Sequence, residues 1–401
     1  MQPDFWKFWI GQTISNFGSS FTAFAWPLLV YKLTGSALNL AFSSVSTTLP
    51  WLLFGFFLGA YVDRSNRKQL MTLTDFANAL VIASIPLLAW LHQLVIWQIY
   101  LVGFLGSTLS ICFLLAQSAA LPSLVTREQL ATANGRIQAA TSAARVLGPL
   151  IAGAIVAIMP LSALLFFDAL SFLLSAGLLL LIRTSFNSTT QRKATSFRSD
   201  MREGLSYVLQ QPVIRSIAII AALFNLVGIT LGAQLVVFAR QHLLASDTQI
   251  GFLFSAGSLG VIVCSLLAGT MRKYWSFGAI ALGTTMINGL LILVLAMIPW
   301  YWLALPLWAL SSGMIILFNI TVVSLRQALV PNHLLGRVAG VINVIGQAIS
   351  PLGTVLGGWL IVLTNQVAWV YGAIGVIICG IAVGFSFTAL AHAERYLPSE
   401  E

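Results

Sequence analysis

The chain has 401 residues, of which 58% are hydrophobic and 8% are charged, whereas soluble domains carry roughly 25% charged residues. This composition excludes a soluble fold, and apolar runs long enough to cross a hydrocarbon core of about 30 Å recur from Phe8 to Leu390. The net charge of +9 does not by itself indicate nucleic acid as a partner, because basic loops beside a membrane give the same total.

Twelve membrane-spanning helices are predicted along the chain. A β-barrel is not, because it needs alternating segments of roughly ten residues, and the chain has none. The first apolar run is too long for the core of a signal peptide and is followed by no small-residue cleavage site, so we expect a retained first span. The spans begin near Phe8, Asn39, Leu70, Ile96, Arg136, Ser162, Ile214, Gln249, Phe277, Leu303, Arg337 and Ala368.

Basic residues are concentrated in the loops on one side of these spans. If the N-terminus is cytoplasmic, the loops of the opposite side hold only Lys32 and Arg240 among all Lys and Arg residues. The positive-inside rule then places both termini in the cytoplasm. We therefore expect a multi-pass protein of the inner (cytoplasmic) cell membrane.

A polar segment from Arg183 to Pro212, rich in Ser, Thr, Arg and Lys, separates the sixth span from the seventh. Its second part is predicted to form a short helix on the membrane surface, since apolar residues recur on one face and Asp200 and Glu203 can form a capping pair. We expect an N-terminal six-helix bundle in residues 1–182, a cytoplasmic linker in residues 183–212 and a C-terminal six-helix bundle in residues 213–401.

The two halves repeat each other at an offset of about 200 residues, a signal of transporters built by duplication. The matched residues are Asn16 and Gly18 with Asn225 and Gly228, Gly59 with Gly269, and Pro149 with Pro351. We therefore predict an all-α integral membrane transporter in which two bundles rock about a central cavity.

A basic loop follows the second span. Its sequence is Gly59-Ala-Tyr-Val-Asp63-Arg64-Ser-Asn66-Arg67-Lys68. The glycine would let its helix approach a helix of the other bundle closely, and the aspartate would interact with the dipole at the N-terminus of that helix. The three basic residues would bridge to carboxylates on the same face, such as Glu128 or Asp75. Together these residues predict a latch between conformations.

Small residues recur along the fifth span. They are Gly135, Ala144, Gly148, Pro149, Ala152 and Gly153. On a membrane helix such a pattern is often only a packing face, which lets a neighbouring helix approach closely. The alternative is a transport motif, and the residues alone leave both interpretations open.

The basic loop resembles motif A of the major facilitator superfamily, G-x-x-x-D-R-x-G-R-K, in its usual place between helices 2 and 3. Asn66 stands where the family has glycine, and since asparagine best tolerates the left-handed turn that glycine provides, we expect the loop conformation to survive. The second copy, Gly269-Thr-Met-Arg272-Lys273, has lost the aspartate, so only the first copy is expected to latch strongly.

The fifth span resembles motif C of the antiporters in this superfamily, G-x8-G-x3-G-P-x2-G-G, with alanine at two glycine positions. Four further segments, LPSLVTREQLATANGR, AARVLGP, FFDALSF and LGRVAGV, are similar to the branch of macrolide-efflux proteins and the enterobactin exporter. The resemblance implies a major facilitator fold and export of an amphipathic small molecule, such as a drug or siderophore, by proton antiport with alternating access.

Three charged residues lie inside spans: Asp75 in the third, Arg145 in the fifth and Asp168 in the sixth. A charge at the bilayer centre costs about 2.5–3.5 kcal/mol, so each should find a partner within the protein or face water. Arg145 and Asp168 are expected to pair. A permanent pair would be a static brace, whereas a pair that separates would free Asp168 to carry a proton. Asp75 is a further proton-coupling candidate, although its position favours the motif A network.

Polar and aromatic residues of the spans are candidates for the wall of a substrate cavity. They are Asn16, Trp26, Gln138, Asn225, Gln234, Asn319, Asn343 and Gln347. The three cysteines are widely spaced inside apolar runs, which predicts neither a disulfide framework nor a metal site. No cofactor is expected either.

The expected partners are a small-molecule substrate, protons and membrane lipids, with no nucleic acid, and the protein is expected to be a monomer. An uncoupled facilitator or a lipid flippase remains an alternative, and a membrane receptor or sensor on a transporter scaffold is a further one. An enzyme is not expected, because the sequence shows no nucleophile–base pair, metal cluster or phosphate-binding loop.

Overall fold

The computed structural model describes residues 3–184, 186, 197–331 and 334–396, and the regular secondary structure in these ranges is helical. The first half contains α1 (Pro3–Thr34), α2 (Ala37–Arg64), α3 (Arg67–Trp90), α4 (Ile96–Leu124), α5 (Leu130–Val156) and α6 (Ser162–Leu180). The second half contains α7 (Phe197–Gln210), α8 (Pro212–Ala233), α9 (Leu235–Gln241), α10 (Asp247–Tyr274), α11 (Phe277–Met297), α12 (Tyr301–Leu329), α13 (Leu335–Thr364) and α14 (Val367–Ser386). Short 3-10 helices occupy Arg127–Gln129 and Ala389–Tyr396.

These helices confirm the predicted all-helical membrane architecture. Eleven helices in the described part of the chain are long and apolar enough to cross a membrane. The remaining long helix is α1, with 32 residues, whose polar side chains lower its hydropathy. Two of these, Gln12 and Ser15, are buried, so they meet protein rather than lipid.

Contacts between Cα atoms divide the chain into two compact units. The first consists of α1 to α6 together with Ser246–Ser255, the first part of α10, and the second holds the other described helices. Residues 187–196 of the predicted linker lie outside the described residues, so the linker boundaries stay a prediction.

In the first unit, glycines on α1 allow α6 to lie directly against it. A Cβ atom at Gly18 would lie 2.7 Å from Asp168 Oδ1 and 2.8 Å from the Cβ of Ser171. A Cβ at Gly11 would lie 3.4 Å from the Cα of Ser175. Because side chains do not tolerate the first two distances, Gly18 is required for the contact between α1 and α6.

The second unit uses the same principle where α13 packs against α8. A Cβ at Gly353 would lie 2.7 Å from the carbonyl carbon of Leu226. The hydroxyl of Thr230 donates a hydrogen bond of 3.0 Å to the carbonyl oxygen of Gly353. Small residues therefore bring these two backbones together and leave a carbonyl within reach of a side-chain donor.

The predicted surface helix corresponds to α7, which is anchored at two points of the second unit. Glu203 forms an ion pair with Arg337 at the start of α13. The hydroxyl of Tyr207 donates a hydrogen bond of 3.1 Å to the carbonyl oxygen of Leu329 at the end of α12. Glu203 was expected to cap α7 together with Asp200, whose side chain lies outside the described residues.

The loop between α2 and α3 does not contain the left-handed turn predicted at Asn66. This residue has φ −70° and ψ 106°, and its side chain caps α3 by accepting a hydrogen bond of 3.2 Å from the Gln69 amide. The expectation was wrong because asparagine is favoured both in left-handed turns and at helix N-caps. Here it acts through its side chain.

Replacing Asn66 tests this role. Asn66→Ala removes the capping oxygen and should lower the free energy of unfolding by about 1 kcal/mol, whereas Asn66→Ser keeps a capping oxygen and should stay near wild type. Thermal unfolding of purified protein in detergent measures both. Equal stability of the alanine and serine variants would contradict the capping role.

Candidate functional site

Asp168 of α6 is buried against α1, with 1% of its surface exposed. The Thr22 hydroxyl donates a hydrogen bond of 2.5 Å to Oδ2. The hydroxyls of Ser171 and Ser19 lie 3.3 Å and 3.5 Å from Oδ1. The carboxylate is therefore enclosed by hydroxyl groups from two helices that Gly18 allows to touch.

The ion pair predicted between Asp168 and Arg145 is absent. Among the described residues, the hydrogen-bond partners of Asp168 are the three hydroxyls, and Arg145 is an exposed residue of α5. The prediction matched the two residues by depth along their helices, but depth does not fix the direction in which a side chain points. Among the described residues, therefore, no guanidinium group holds Asp168 in its ionised form.

Asp75 of α3 belongs to the same buried region. It is 1% exposed. Its carboxyl group interacts with the Ser175 hydroxyl of α6 and with the charge of Asp168. Gln12 of α1 donates a hydrogen bond of 3.2 Å to the same hydroxyl. Asp75 was favoured for the motif A network, but it lies two turns into α3, about 12 Å along the axis from Arg67 at 1.5 Å per residue. Its partners are in the core of the first unit.

The hydroxyl groups of this buried polar cluster were missed by the sequence reasoning. Asp168, Ser171 and Ser175 recur at positions i, i+3 and i+7 of α6, and all three are buried. Residues with this spacing lie on one helix face. A polar stripe beginning with an intramembrane aspartate is the signal that would have identified them.

The basic residues of the motif A loop bind backbone carbonyl oxygens. Arg67 donates hydrogen bonds of 3.1 Å to the carbonyls of Ala119 and Phe186. Lys68 donates one of 2.6 Å to the carbonyl of Ile182. Carbonyls near helix C-termini lack partners within the helix and attract cations. The loop is thereby fixed to the ends of α4 and α6 in its own unit.

The predicted bridge from this loop to Glu128 is wrong. Glu128 instead binds the Thr126 hydroxyl, which lowers the pKa of the carboxyl below its ordinary value. Arg64 is exposed, and a Cβ at Gly59 would meet no described heavy atom within 4 Å. The Asp63 side chain lies outside the described residues, so the latch stays a prediction.

Asp4 anchors the start of α1 and was also missed from the sequence. It pairs with Lys7 at 2.8 Å and accepts hydrogen bonds of 3.0 Å from the amides of Arg183 and Thr184. The Lys7 ammonium and these donors hold the pKa of Asp4 well below its usual range. The first turn of α1 is thereby tied to the chain that leaves α6.

Helix α5 packs tightly through two of its predicted small residues. A Cβ at Gly148 would lie 2.5 Å from the Cβ of Ser20, whose hydroxyl donates a hydrogen bond of 2.6 Å to the Ala144 carbonyl. A Cβ at Gly153 would lie 3.3 Å from the carbonyl oxygen of Thr248. These positions therefore form a packing face of the first unit.

The other two motif C residues differ from each other. Pro149 is buried in the middle of α5, and its carbonyl oxygen would lie 2.7 Å from a Cβ at Gly251. Gly135 is exposed, and a Cβ there would meet no described heavy atom within 4 Å. The position therefore has room for a larger side chain, and packing does not require glycine there.

Two of the predicted cavity residues make hydrogen bonds inside their own unit, and a third is buried. Trp26 donates a hydrogen bond of 2.9 Å to the Ser43 hydroxyl, and Asn16 donates one of 3.4 Å to the Thr141 hydroxyl. Gln234 is fully buried. The exposed candidates are Gln138, Asn225, Asn319, Asn343 and Gln347. Their place in a substrate cavity stays a prediction.

A model of the transmembrane secretion effector family, within the major facilitator superfamily, matches residues 1–399. The chain belongs to this family. It is therefore a multi-pass membrane transporter with a small-molecule substrate, and the expectation of a transporter rather than an enzyme is confirmed.

Several curated proteins are similar to this transporter over most of its length. Macrolide efflux protein A of Streptococcus pyogenes is 22% identical over 355 residues, 88% of each chain. Multidrug efflux pump Tap of Mycolicibacterium fortuitum is 27% identical over 353 residues, 85% of each chain. Enterobactin exporter EntS of Escherichia coli is 24% identical over 406 residues, 99% of this chain and 94% of the exporter.

Solved structures show the same fold. A bacterial homologue of the iron transporter ferroportin has a TM-score of 0.77 at 17% identity, with 96% of this chain and 100% of that chain covered. The nucleoside transporter NupG has a TM-score of 0.76 at 13% identity, with 98% and 100% covered. The predicted major facilitator fold is confirmed.

The packing of α5 against α1 is testable with two glycines of one helix. Gly148→Leu should reduce transport by about tenfold or more, because leucine cannot fit against Ser20 without separating the helices. Gly135→Leu is the matched control and should retain activity, since its position has space. Transport is measured per amount of protein in the membrane. Equal activity of the two variants would show that the close contact is not needed.

Proposed function

We propose that this transporter exports an amphipathic organic molecule across the inner membrane in exchange for protons, by alternating access. The observation that carries the proposal is the Asp168 carboxylate, buried among three hydroxyls and, among the described residues, without a cation as hydrogen-bond partner. A carboxylate in this position can change its charge during the cycle, whereas one fixed to a guanidinium stays ionised.

The Asp168 pocket, formed by the hydroxyls of Thr22, Ser19 and Ser171, suits both protonation states of the Asp168 carboxyl. Hydroxyl groups donate to an ionised carboxylate and can also accept from a protonated one. Burial disfavours the charged form, and the hydroxyl donors partly compensate for that cost. Loss or gain of one proton therefore changes the balance of interactions between α1 and α6 without leaving a buried group unpaired. Such a change can bias a conformational equilibrium.

The energy available from protons is sufficient for export. One proton crossing a membrane potential of about 150 mV supplies about 3.5 kcal/mol. That free energy sustains a substrate gradient of a few hundred-fold when no other charge moves. One proton per substrate molecule is thus enough for useful efflux.

The substrate class is supported by the relatives and by the exposed polar residues. The relatives are named as efflux proteins for macrolides, multiple drugs and enterobactin, which are amphipathic organic molecules as a group. The first unit exposes Gln138 and Arg145 on α5, and the second exposes Asn343 and Gln347 on α13. These side chains offer hydrogen bonds to the polar groups of such a substrate.

Reconstituted protein tests the coupling. In liposomes, wild type should accumulate a macrolide or a catechol siderophore when a pH gradient is imposed. Asp168→Asn should lose this accumulation by about tenfold or more while substrate binding and downhill exchange persist, because neither needs titration. Glu128→Gln, which neutralises an exposed carboxylate outside the long helices, is the control and should behave as wild type.

Three outcomes would change the proposal. Full pH-driven accumulation by Asp168→Asn would exclude this residue as the proton carrier. Wild-type transport that ignores the pH gradient would favour an uncoupled facilitator or a lipid flippase. If Asp168→Asn loses thermal stability, binding and transport together, the carboxylate is a structural brace.

A further inference from the structure

The third long helix of each half places polar residues at matching positions. Counted from the first residue of each helix, Asn78 of α3 corresponds to Asn288 of α11. By the same count, Asp75 corresponds to Thr285. All four side chains are buried. The second half therefore shows what this position looks like when its acidic residue is replaced by a neutral one.

The amide nitrogen of the second-half asparagine is paired with a serine, whereas its Oδ1 atom has no hydrogen-bond partner among the described residues. The Nδ2 atom of Asn288 donates hydrogen bonds of 2.8 Å to the Ser311 hydroxyl and 3.0 Å to the Ser311 carbonyl. Counted along α4 and α12, the residue that matches Ser311 is Gly106. A Cβ at Gly106 would lie 3.6 Å from Oδ1 of Asn78. The same two helices thus meet at the same place, but the first half lacks the hydroxymethyl group.

Two buried polar atoms of the first half lack a hydrogen-bond partner at this place. Among the described residues, Oδ2 of Asp75 and Nδ2 of Asn78 have no hydrogen-bond partner. Both side chains are only 1% exposed. Residues three apart on a helix lie side by side on one face. A buried polar group without a partner is costly and rare, so a ligand for both atoms is expected here.

The hydrogen-bonding requirements of these two atoms determine which ligand fits between them. Asp75 Oδ2 needs a donor or a cation, whereas Asn78 Nδ2 needs an acceptor. A metal ion would satisfy the carboxylate and leave the amide N–H unpaired. A water molecule donates to the first and accepts from the second, and buried waters typically bridge such groups. A Cβ at Gly106 would meet Asn78 Oδ1 at 3.6 Å and Ile82 Cδ1 at 3.8 Å, so this side of Asn78 has no side chain where the second half has Ser311.

We propose that Asp75, Asn78 and the backbone at Gly106 enclose one ordered water molecule, which exchanges protons with Asp75 on a buried route to Asp168. The inference rests on the proton coupling proposed above and extends it to a second carboxylate. It assigns a role to Asn78 and Gly106, which are not part of the Asp168 pocket.

The route follows the polar face of α6. Asp75 contacts Ser175, and Asp168 contacts Ser171, one turn away on the same helix face. The titratable group that acts on Asp75 from the helices packed against α3 is Asp168. Two carboxylates repel each other when both are ionised, so one proton can be shared between them. Each transfer breaks one O–H bond and forms another, and the net charge of the pair is unchanged while the proton moves between them.

The water site is tested by two variants of one residue. Gly106→Ala would displace the water with a methyl group and leave both polar atoms unpaired. Gly106→Ser would displace it with a hydroxyl that can bond to Asn78, as Ser311 bonds to Asn288. The alanine variant should therefore melt about 2–4 °C below the serine variant, which should stay near wild type. Because alanine is the better helix former, equal or reversed melting temperatures would overturn the water site.

Transport of the same proteins tests the proton route. Gly106→Ala and Asp75→Asn should lose pH-driven accumulation by about tenfold while keeping downhill exchange, and Gly106→Ser should recover most of it. Ser311→Gly is the matched control in the second half and should keep its pH dependence, because Thr285 cannot hold a titrating proton. Full pH dependence in Asp75→Asn would overturn the route. Loss of pH dependence in wild type itself would instead overturn the proposed function, while the melting temperatures still decide the water site.

A sodium titration separates water from a cation. Melting temperatures are compared in sodium and choline chloride at constant ionic strength. Wild type and Asp75→Asn should show no sodium-specific stabilisation. A rise with sodium in wild type that disappears in Asp75→Asn would replace the water by a cation site.

Discussion

A carboxylate inside a membrane is tolerated only where the protein encloses it with polar partners, and the organisation of the first unit follows from this constraint. Asp168 meets it through the hydroxyls of Thr22, Ser19 and Ser171. Those hydroxyls reach the carboxylate only because Gly18 lets α1 and α6 touch. The close packing that membrane helices use for stability therefore also creates the polar environment in which a proton can be held.

The two halves share a fold but not this chemistry. Thr285 and Asn288 fill the matching place in the second half, where Ser311 accepts hydrogen bonds from the amide nitrogen of the asparagine. A neutral residue is thus compatible with the helix packing at this position. The fold therefore does not by itself explain the presence of Asp75 in the first half. Among the described residues, the buried acidic side chains, Asp75 and Asp168, both lie in the first half.

Apolar runs and internal repeats predicted the fold well, because membrane helices must be long, apolar and closed on their own hydrogen bonds. The site was predicted in part. Asp75 and Asp168 stand out as intramembrane charges, but sequence gives only their depth, so Arg145 was paired with Asp168 although it is an exposed residue of α5. Serine and threonine are too common in membrane helices to mark the true partners. Asn66 shows a different limit, since one residue type is favoured in two backbone conformations.

The central claim is that binding of substrate is coupled to loss of a proton from Asp168. Purified protein in weakly buffered detergent solution, with a pH indicator, measures proton release directly when a macrolide or catechol siderophore is added. Wild type should release close to one proton per bound substrate near neutral pH, and Asp168→Asn should bind substrate without release. Equal release from both proteins, or binding to wild type without any release, would contradict the account.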